Sequence, residues 1–367
     1  MASCSYCEKD CLYKLELHHE NLSLVAPEFP ELLVRRYRIL QKIYYSAPVG
    51  RRNLAHYFNM GERVLRREIE VLREQGLLKV DKNGVSLTPA GESAVLTLFP
   101  YLKLFLGLTG LEEELKRLLK VNRVIVVPGD LEQEQIVLTE IGRAAARILR
   151  QYLEPYTVLA VSGGTSCAAL AEMLPESPGP RGVMVVPARG GLGEDVNDQA
   201  NTIAAHVARK LRSQYRLLHL PDSLSEETLQ ILLKEERIKE VIGIINSAQV
   251  LVHGIGNAEE MARRRGASEE EIENLRQKGA VGEVFGLFFD AQGEIVERIP
   301  SLGFYLEELG EHINNVIVVA GGRKKAEAIV AVIGNHPREL LITDEGAARK
   351  ILELYADQGE REKIARS

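Results

Sequence analysis

Seven short apolar runs, each ending in Gly, Pro or a polar residue, constrain this chain more than any other feature. They read RVIVVPG, YTVLAVSGG, GVMVVPARGG, YRLLHLP, AQVLVHGIG, VIVVAGG and ELLIT, all after Asn122, and most are separated by helical stretches. Unbroken Val/Ile runs suit strands buried on both faces, as in parallel sheets. Strand–helix alternation then builds a doubly wound α/β domain, expected over residues 122–367. Ligands in such domains bind beyond the carboxyl ends of the strands, so chemistry is expected there.

The preceding segment, residues 31–98, has a different pattern. A helix is expected from Glu31 to Tyr45, stopping before Pro48, and a short one from Arg51 to Phe58. Asn59-Met60-Gly61 reads as a tight turn, and a third helix runs from Glu62 to about Gln75, ended by Gly76. Leu65, Ile69 and Leu72 recur at helical spacing as a buried stripe, with Arg63, Arg66 and Arg67 on the opposite face. LLKV, the turn Asp81-Lys82-Asn83-Gly84 and VSLT read as a hairpin whose central turn positions want positive φ. Thr88-Pro89 then opens another helix. This is the order of a winged helix-turn-helix.

The charge distribution agrees. Net charge is -6 from 46 basic and 52 acidic residues. Between Arg35 and Lys82, twelve basic residues face five acidic ones, leaving a segment of +7 on a remainder of -13. A basic patch on an acidic body points to double-stranded DNA, with Arg51, Arg52, Arg63, Arg66, Arg67 and Lys82 as the contacting residues. A solvated charged face, or a winged helix that binds protein, is the alternative.

Residues 99–121 form a Leu-rich connector for coupling or dimerisation. Residues 1–30 form an arm carrying Cys4, Cys7 and Cys11, with His18 and His19 nearby. Cys-x2-Cys spacing suits zinc, but the arm is short and terminal, so no metal is expected. Four cysteines do not make a disulfide framework, and Cys167 reads as a small apolar residue. No window reaches the roughly 18 apolar residues of a membrane helix, and MASCSYCEKD lacks a signal peptide's apolar core. The expectation is a cytoplasmic protein without a membrane partner.

At the strand ends, Ser162-Gly163-Gly164-Thr165-Ser166 precedes a helix. Gly-Gly permits close approach of backbone N–H groups to an anion, and the hydroxyls of Thr165 and Ser166 add donors. A plain strand-to-helix turn has the same signature. No Walker Lys follows, which argues against nucleotide hydrolysis. Arg189 ends the third run, with Gln199 and Asn201 after it, and Lys324 follows Gly321-Gly322. Converging cations beside a cradle suit a phosphorylated small ligand.

PVGRRNLA, GERVLRREIEVLREQGLL, SGGTS, VVPARGGLGEDVNDQANTIAAHVARKL, VHGIGNAEEMARRR, GEVFGLFFD and AGGRKKAEAI together resemble the SorC family of sugar-responsive bacterial transcription regulators, from about Leu32 to Leu354. The resemblance implies a C-terminal domain similar to phosphosugar isomerases, holding fructose 1,6-bisphosphate or a related sugar phosphate. It assigns Gly163, Gly164, Thr165 and Ser166 to one phosphate, and Arg189, Gln199, Arg264, Glu283 and Lys324 to the sugar and the other phosphate. Ser166 stands where relatives often have Thr, and the hydroxyl is kept. Within Arg263–Arg265, only Arg264 is expected to face ligand. A winged helix would bind a pseudo-palindromic operator as a homodimer or homotetramer, because two-fold protein symmetry matches two-fold half-sites, and the resemblance implies tetramers on DNA.

The expected function is therefore a repressor of glycolytic genes whose operator binding is modulated by a sugar phosphate. The rivals are an isomerase or deaminase on a similar fold, and a regulator of a different phosphosugar. Acid–base candidates are present (Glu194, Asp195, Asp198, His206, His253 and Glu283), but the sequence does not place a pair of them near a substrate carbon, so no catalytic residue is expected.

Overall fold

The structure, a computed structural model, describes residues 24–192, 195–222, 224–299, 313, 315–333 and 339–365. The Cys4, Cys7 and Cys11 arm, His18, His19 and Glu194 lie outside them. The chain divides into two units at Thr109/Gly110. Among the described residues, no helix is long and apolar enough to cross a membrane.

The first unit begins with α1 (Phe29–Ser46), followed by α2 (Arg51–Tyr57) and α3 (Glu62–Glu74). β1 (Leu78–Asp81) and β2 (Gly84–Leu87) form an antiparallel hairpin. Then come α4 (Pro89–Thr97) and α5 (Phe99–Phe105), and α6 (Leu108–Leu119) runs across the division. Ile39, Ile43, Leu54, Leu65, Ile69, Leu72 and Val85 share one core. Each such aliphatic side chain contributes about 1.5–3 kcal/mol when fully buried. Thr88 caps α4 as expected, its Oγ1 accepting from Gly91 N at 3.1 Å.

The hairpin forms, but its turn differs from the expected one. Asp81 pairs with Gly84, so Lys82 and Asn83 are the central residues, and neither has positive φ. Asn83 N donates to the Asp81 carboxylate at 2.7 Å, an Asx turn that supplies the bend. Gly84 has φ +137 and faces the Val49 backbone, whose carbonyl oxygen would lie 2.8 Å from any Cβ there. Val49 and Val85 exchange backbone hydrogen bonds at 2.9 and 3.1 Å. The glycine therefore admits a third extended segment beside the wing.

In the second unit, β3 (Arg123–Val127) leads through α7 (Ile136–Tyr152), β4 (Val158–Val161) and α8 (Thr165–Met173) to β5 (Met184–Pro187). α9 (Ala200–Leu211), β6 (Gln214–Tyr215), α10 (Glu226–Leu232) and α11 (Glu236–Asn246) lead to β7 (Val250–His253). After β8 (Gly256–Asn257) come α12 (Ala258–Arg264), α13 (Glu269–Gln277), β9 (Ala280–Val284), β10 (Leu287–Asp290) and β11 (Ile295–Arg298). β12 (Asn315–Val319), α14 (Ala326–Ile333), β13 (Glu339–Asp344) and α15 (Glu345–Ala365) complete it.

Seven strands form one parallel sheet in the order β3-β13-β12-β7-β4-β5-β6. From β4 the chain moves outward to β5, and from β7 it moves outward the other way to β12. The crevice between β4 and β7 is therefore the topological switch point. Of YRLLHLP, only Tyr215 is in a strand, sharing the two-residue β6 with Gln214. A second, antiparallel sheet, β11-β10-β9-β8, is absent from the expected doubly wound pattern and brings Glu283 opposite Gly256 just beyond β7.

Candidate functional site

At the switch point, Gly254 N after β7 donates to Ser162 Oγ after β4 at 3.3 Å, tying the two strand ends together. The backbone of Gly163 passes so close to Asp198 that a Cβ would lie 2.6 Å from the Asp198 carbonyl oxygen, so only glycine fits. That carbonyl accepts from Gly164 N at 2.9 Å. α8 then starts without a side-chain cap, and Ala168 N returns to Gly164 O at 2.9 Å. The amides of Thr165, Ser166 and Cys167 are thus the orphan donors of the first turn, at the positive end of the helix dipole.

These residues line a cavity whose empty volume, solvent at its mouth included, is about 850 Å³. Of the nine residues expected to hold ligand, Gly163, Gly164, Thr165, Ser166, Arg189, Gln199, Arg264 and Glu283 all line it. Lys324 does not. It lines a neighbouring cleft with Glu132 and Arg323, and its backbone N donates to Glu132 at 2.6 Å. The side chain that reaches the cavity is Lys325, because Arg323–Lys325 winds as a 3-10 turn and separates consecutive side chains. Burial pulls the Lys325 ammonium below the ordinary lysine value of 10.5, while Glu260 pushes it back up.

Arg189 follows β5, and Arg265 caps α12. Gly191 N donates to Leu220 O at 2.8 Å and Asp222 N to Gly191 O at 2.8 Å, which brings Asp222 alongside Arg189. Asp222, 1% exposed, sets Oδ1 2.6 Å from Arg189 Nε and accepts from Arg265 Nη2 through Oδ2 at 3.2 Å. Glu283 accepts from Arg265 Nη2 at 2.8 Å and stands 3.6 Å from Arg189 Nη1. Two buried guanidinia are thus held by two buried carboxylates. Arg189 Nη2 and Arg265 Nη1 keep unused donors. Burial draws Arg189 below the ordinary arginine value, with Asp222 and Glu283 opposing that shift.

Arg265 therefore faces the cavity as well as Arg264, against the expectation of Arg264 alone. Arg263 points outward to Glu269. Arg264 Nη2 donates to Asp198 Oδ2 at 3.2 Å. The Gln199 amide grips the Leu192 backbone at both ends, accepting at 2.8 Å and donating at 2.7 Å. Asn201 does the same for Leu218, at 3.0 and 2.8 Å. Cys167 lies behind the cradle, where burial raises its thiol to about 11 despite the Ser162 hydrogen bond. Of the acid–base candidates, Asp198 and Glu283 line the cavity, both engaged by arginine. His206 and His253 do not line it. Among the described residues, no group of three metal-ligating side chains converges.

In the first unit, Arg51, Arg52, Arg63, Arg66, Arg67 and Lys82 are all exposed. Three other cations of the +7 segment are engaged locally: Arg35 and Arg36 pair with the buried Glu68 at 3.2 and 2.8 Å, and Arg73 pairs with Glu70. The outward patch is narrower than the charge count implied and centres on the first turns of α2 and α3.

Comparisons with known proteins agree with this division. Residues 32–102 match the family model of the CggR N-terminal DNA binding domain, and residues 103–353 match a domain described as "Putative sugar-binding domain". The Central glycolytic genes regulator of Bacillus subtilis (strain 168) is 43% identical over 328 residues, covering 89% of this chain and 96% of that protein. Its counterpart in Priestia megaterium is 43% identical over 329 residues, with the same two coverages. A SorC family transcriptional regulator structure from Enterococcus faecalis aligns with TM-score 0.62 and 43% identity, covering 66% of this chain and 99% of that one.

Proposed function

Because the chain belongs to the SorC family of sugar-binding transcriptional regulators, we propose that it represses glycolytic genes and that fructose 1,6-bisphosphate, held in the switch-point cavity, modulates its grip on operator DNA. The family consists of DNA-binding regulators rather than enzymes, which sets the isomerase reading aside. The observation that carries the proposal is the gathering of the α8 amide cradle and Arg189, Arg264, Arg265 and Lys325 around one cavity.

Two cationic groupings support a ligand with two phosphates. Lys325 and Arg264 stand with Asp198 by the cradle, and Arg189 and Arg265 stand together across from Glu283. The first grouping and the amides of Thr165, Ser166 and Cys167 take one phosphate. The second takes the other, while Glu283 accepts from a sugar hydroxyl through its remaining oxygen. Gln199 contributes by holding the Leu192 loop. On the DNA side, α3 enters the major groove, and Arg51, Arg52 and Lys82 bind flanking phosphates. A homodimer or tetramer matches a pseudo-palindromic operator, and the effector acts by favouring the assembly that holds DNA less tightly.

Calorimetric titration of the full chain with fructose 1,6-bisphosphate, fructose 6-phosphate, glucose 6-phosphate and dihydroxyacetone phosphate tests this, with turnover assayed on the same sample. Tightest binding of the bisphosphate, no turnover, and a shifted operator affinity are expected. Failure to bind any of them, or steady conversion, overturns the effector reading.

A further inference from the structure

The exposed face of α3 carries one side chain that neither its core nor its charge explains. Val64 is 51% exposed. It is the third residue of the helix, after the Gly61 cap, Glu62 and Arg63. Leu65, Ile69 and Leu72 form the buried stripe, and Val64 is not among the residues of that core. A β-branched residue at an open helical site loses side-chain freedom that Ala, Lys or Glu would keep, so helix stability does not favour it there.

Its neighbours give it a setting. Arg67 lies three residues on, over the next turn, and Arg63 directly precedes it; both are exposed. Side chains at the first turn of a helix laid into a major groove are the ones that reach base edges. Arginines there bind guanine edges or phosphates, whereas a branched aliphatic side chain can make only an apolar contact. The major groove presents one apolar group at the base edges, the C5-methyl of thymine.

Resting on the reading of this unit as DNA-binding, we propose that Val64 is a specificity-determining residue that reads a thymine methyl in each operator half-site, beside bases or phosphates held by Arg63 and Arg67. The arginines then supply most of the affinity, and Val64 supplies discrimination between thymine and the other bases at one position.

The test uses the full chain and duplexes it selects from a randomised library. In the selected site, each thymine is replaced in turn by deoxyuridine, which removes the methyl and leaves base pairing intact. One position per half-site should weaken binding about fourfold, the effect of one buried methyl group. Val64→Ala, which removes the contact in both half-sites of a dimer, should weaken binding to the thymine duplex by about the square of that factor, roughly sixteenfold, and bind the two duplexes equally, with a melting temperature no lower than before. Val64→Thr, which keeps a methyl, should retain part of the discrimination. If no position in the site is sensitive to the methyl, or if Val64→Ala keeps the full sensitivity, the assignment is overturned. Failure to enrich any sequence, with no binding to duplex DNA, would overturn the DNA-binding reading itself and this assignment with it.

Discussion

In the first unit the cations proposed to face phosphate stand in water, with Arg51, Arg63, Arg66, Arg67 and Lys82 exposed and Arg52 only 3.9 Å from an exposed Glu62. In the second unit Arg189 and Arg265 are withdrawn from water and already spoken for by Asp222 and Glu283. Exposed cations suit a polyanion, whose affinity comes from counterion release and falls with salt. Buried, pre-oriented cations suit one discrete anion: their desolvation is offset within the fold by carboxylates, and the ligand meets donors already aimed. In the proposed function the same side-chain chemistry serves two kinds of partner, and burial separates them.

The contrast predicts where damage should show, and the largest effect is expected from Asp222→Ala. Removing one carboxylate leaves Arg189 and Arg265 short of a partner in the interior, at a cost of about 3–5 kcal/mol. Thermal melting should reveal it in the second unit. A near-unchanged melt would mean the network is hydrated and the contrast is overstated. Next in size, Arg66→Ala with Arg67→Ala should lower operator affinity at least about tenfold. If both contact phosphate, it should reduce the slope of log affinity against log salt by about 2 for each protomer on the operator. Titration with fructose 1,6-bisphosphate should be unaffected, with little salt dependence of its own. An unchanged salt slope would remove both residues from the phosphate contacts.

A smaller effect concerns pH. Burial lowers the Lys325 pKa, so between that lowered value and 10.5 the unfolded chain binds more protons than the folded one. Stability therefore rises with pH across that window. A bound phosphate favours the charged ammonium, so effector affinity should fall as pH rises through the lowered pKa, with proton uptake on binding. Lys325→Met should flatten that dependence, and calorimetry in buffers of different ionisation enthalpy measures the uptake. Lys324→Met should leave it intact. Smallest of all, Thr165→Val should weaken effector binding about three- to tenfold through one lost hydroxyl donor, as measured in the same titration, with operator binding unchanged without effector.

The parallel sheet was legible because Val/Ile runs ending at Ser162-Gly163 or Gly321-Gly322 mark both the strand and its carboxyl end. The antiparallel sheet was not. β8 is two residues long, β11 is the mixed segment IVER, and β9–β10 share one apolar run with a register shift at Phe289/Asp290. In the site, composition located the loops but not every side chain. Arg264 and Arg265 differ by one step at a helix end, and Lys324 and Lys325 by one step of a 3-10 turn. A residue's type does not show which way that step points. Asp222 gave no signal because it follows a two-residue strand and acts only through Arg189 and Arg265, whose contact depends on chain folding between distant segments.

The sheet order has a consequence for how the molecule is made. β3 is the first strand of the large sheet to leave the ribosome, and among the described residues its one partner in that sheet is β13, the last. The first unit closes its own contacts once residues up to Thr109 have emerged, as N-terminal units do during synthesis. RVIVV, four of its five residues buried in the finished fold, must wait for the far end of the chain. A transcript cut short before Glu339 would therefore yield a finished DNA-reading head joined to an unsatisfied apolar strand, a species marked for aggregation or proteolysis instead of for service on a promoter.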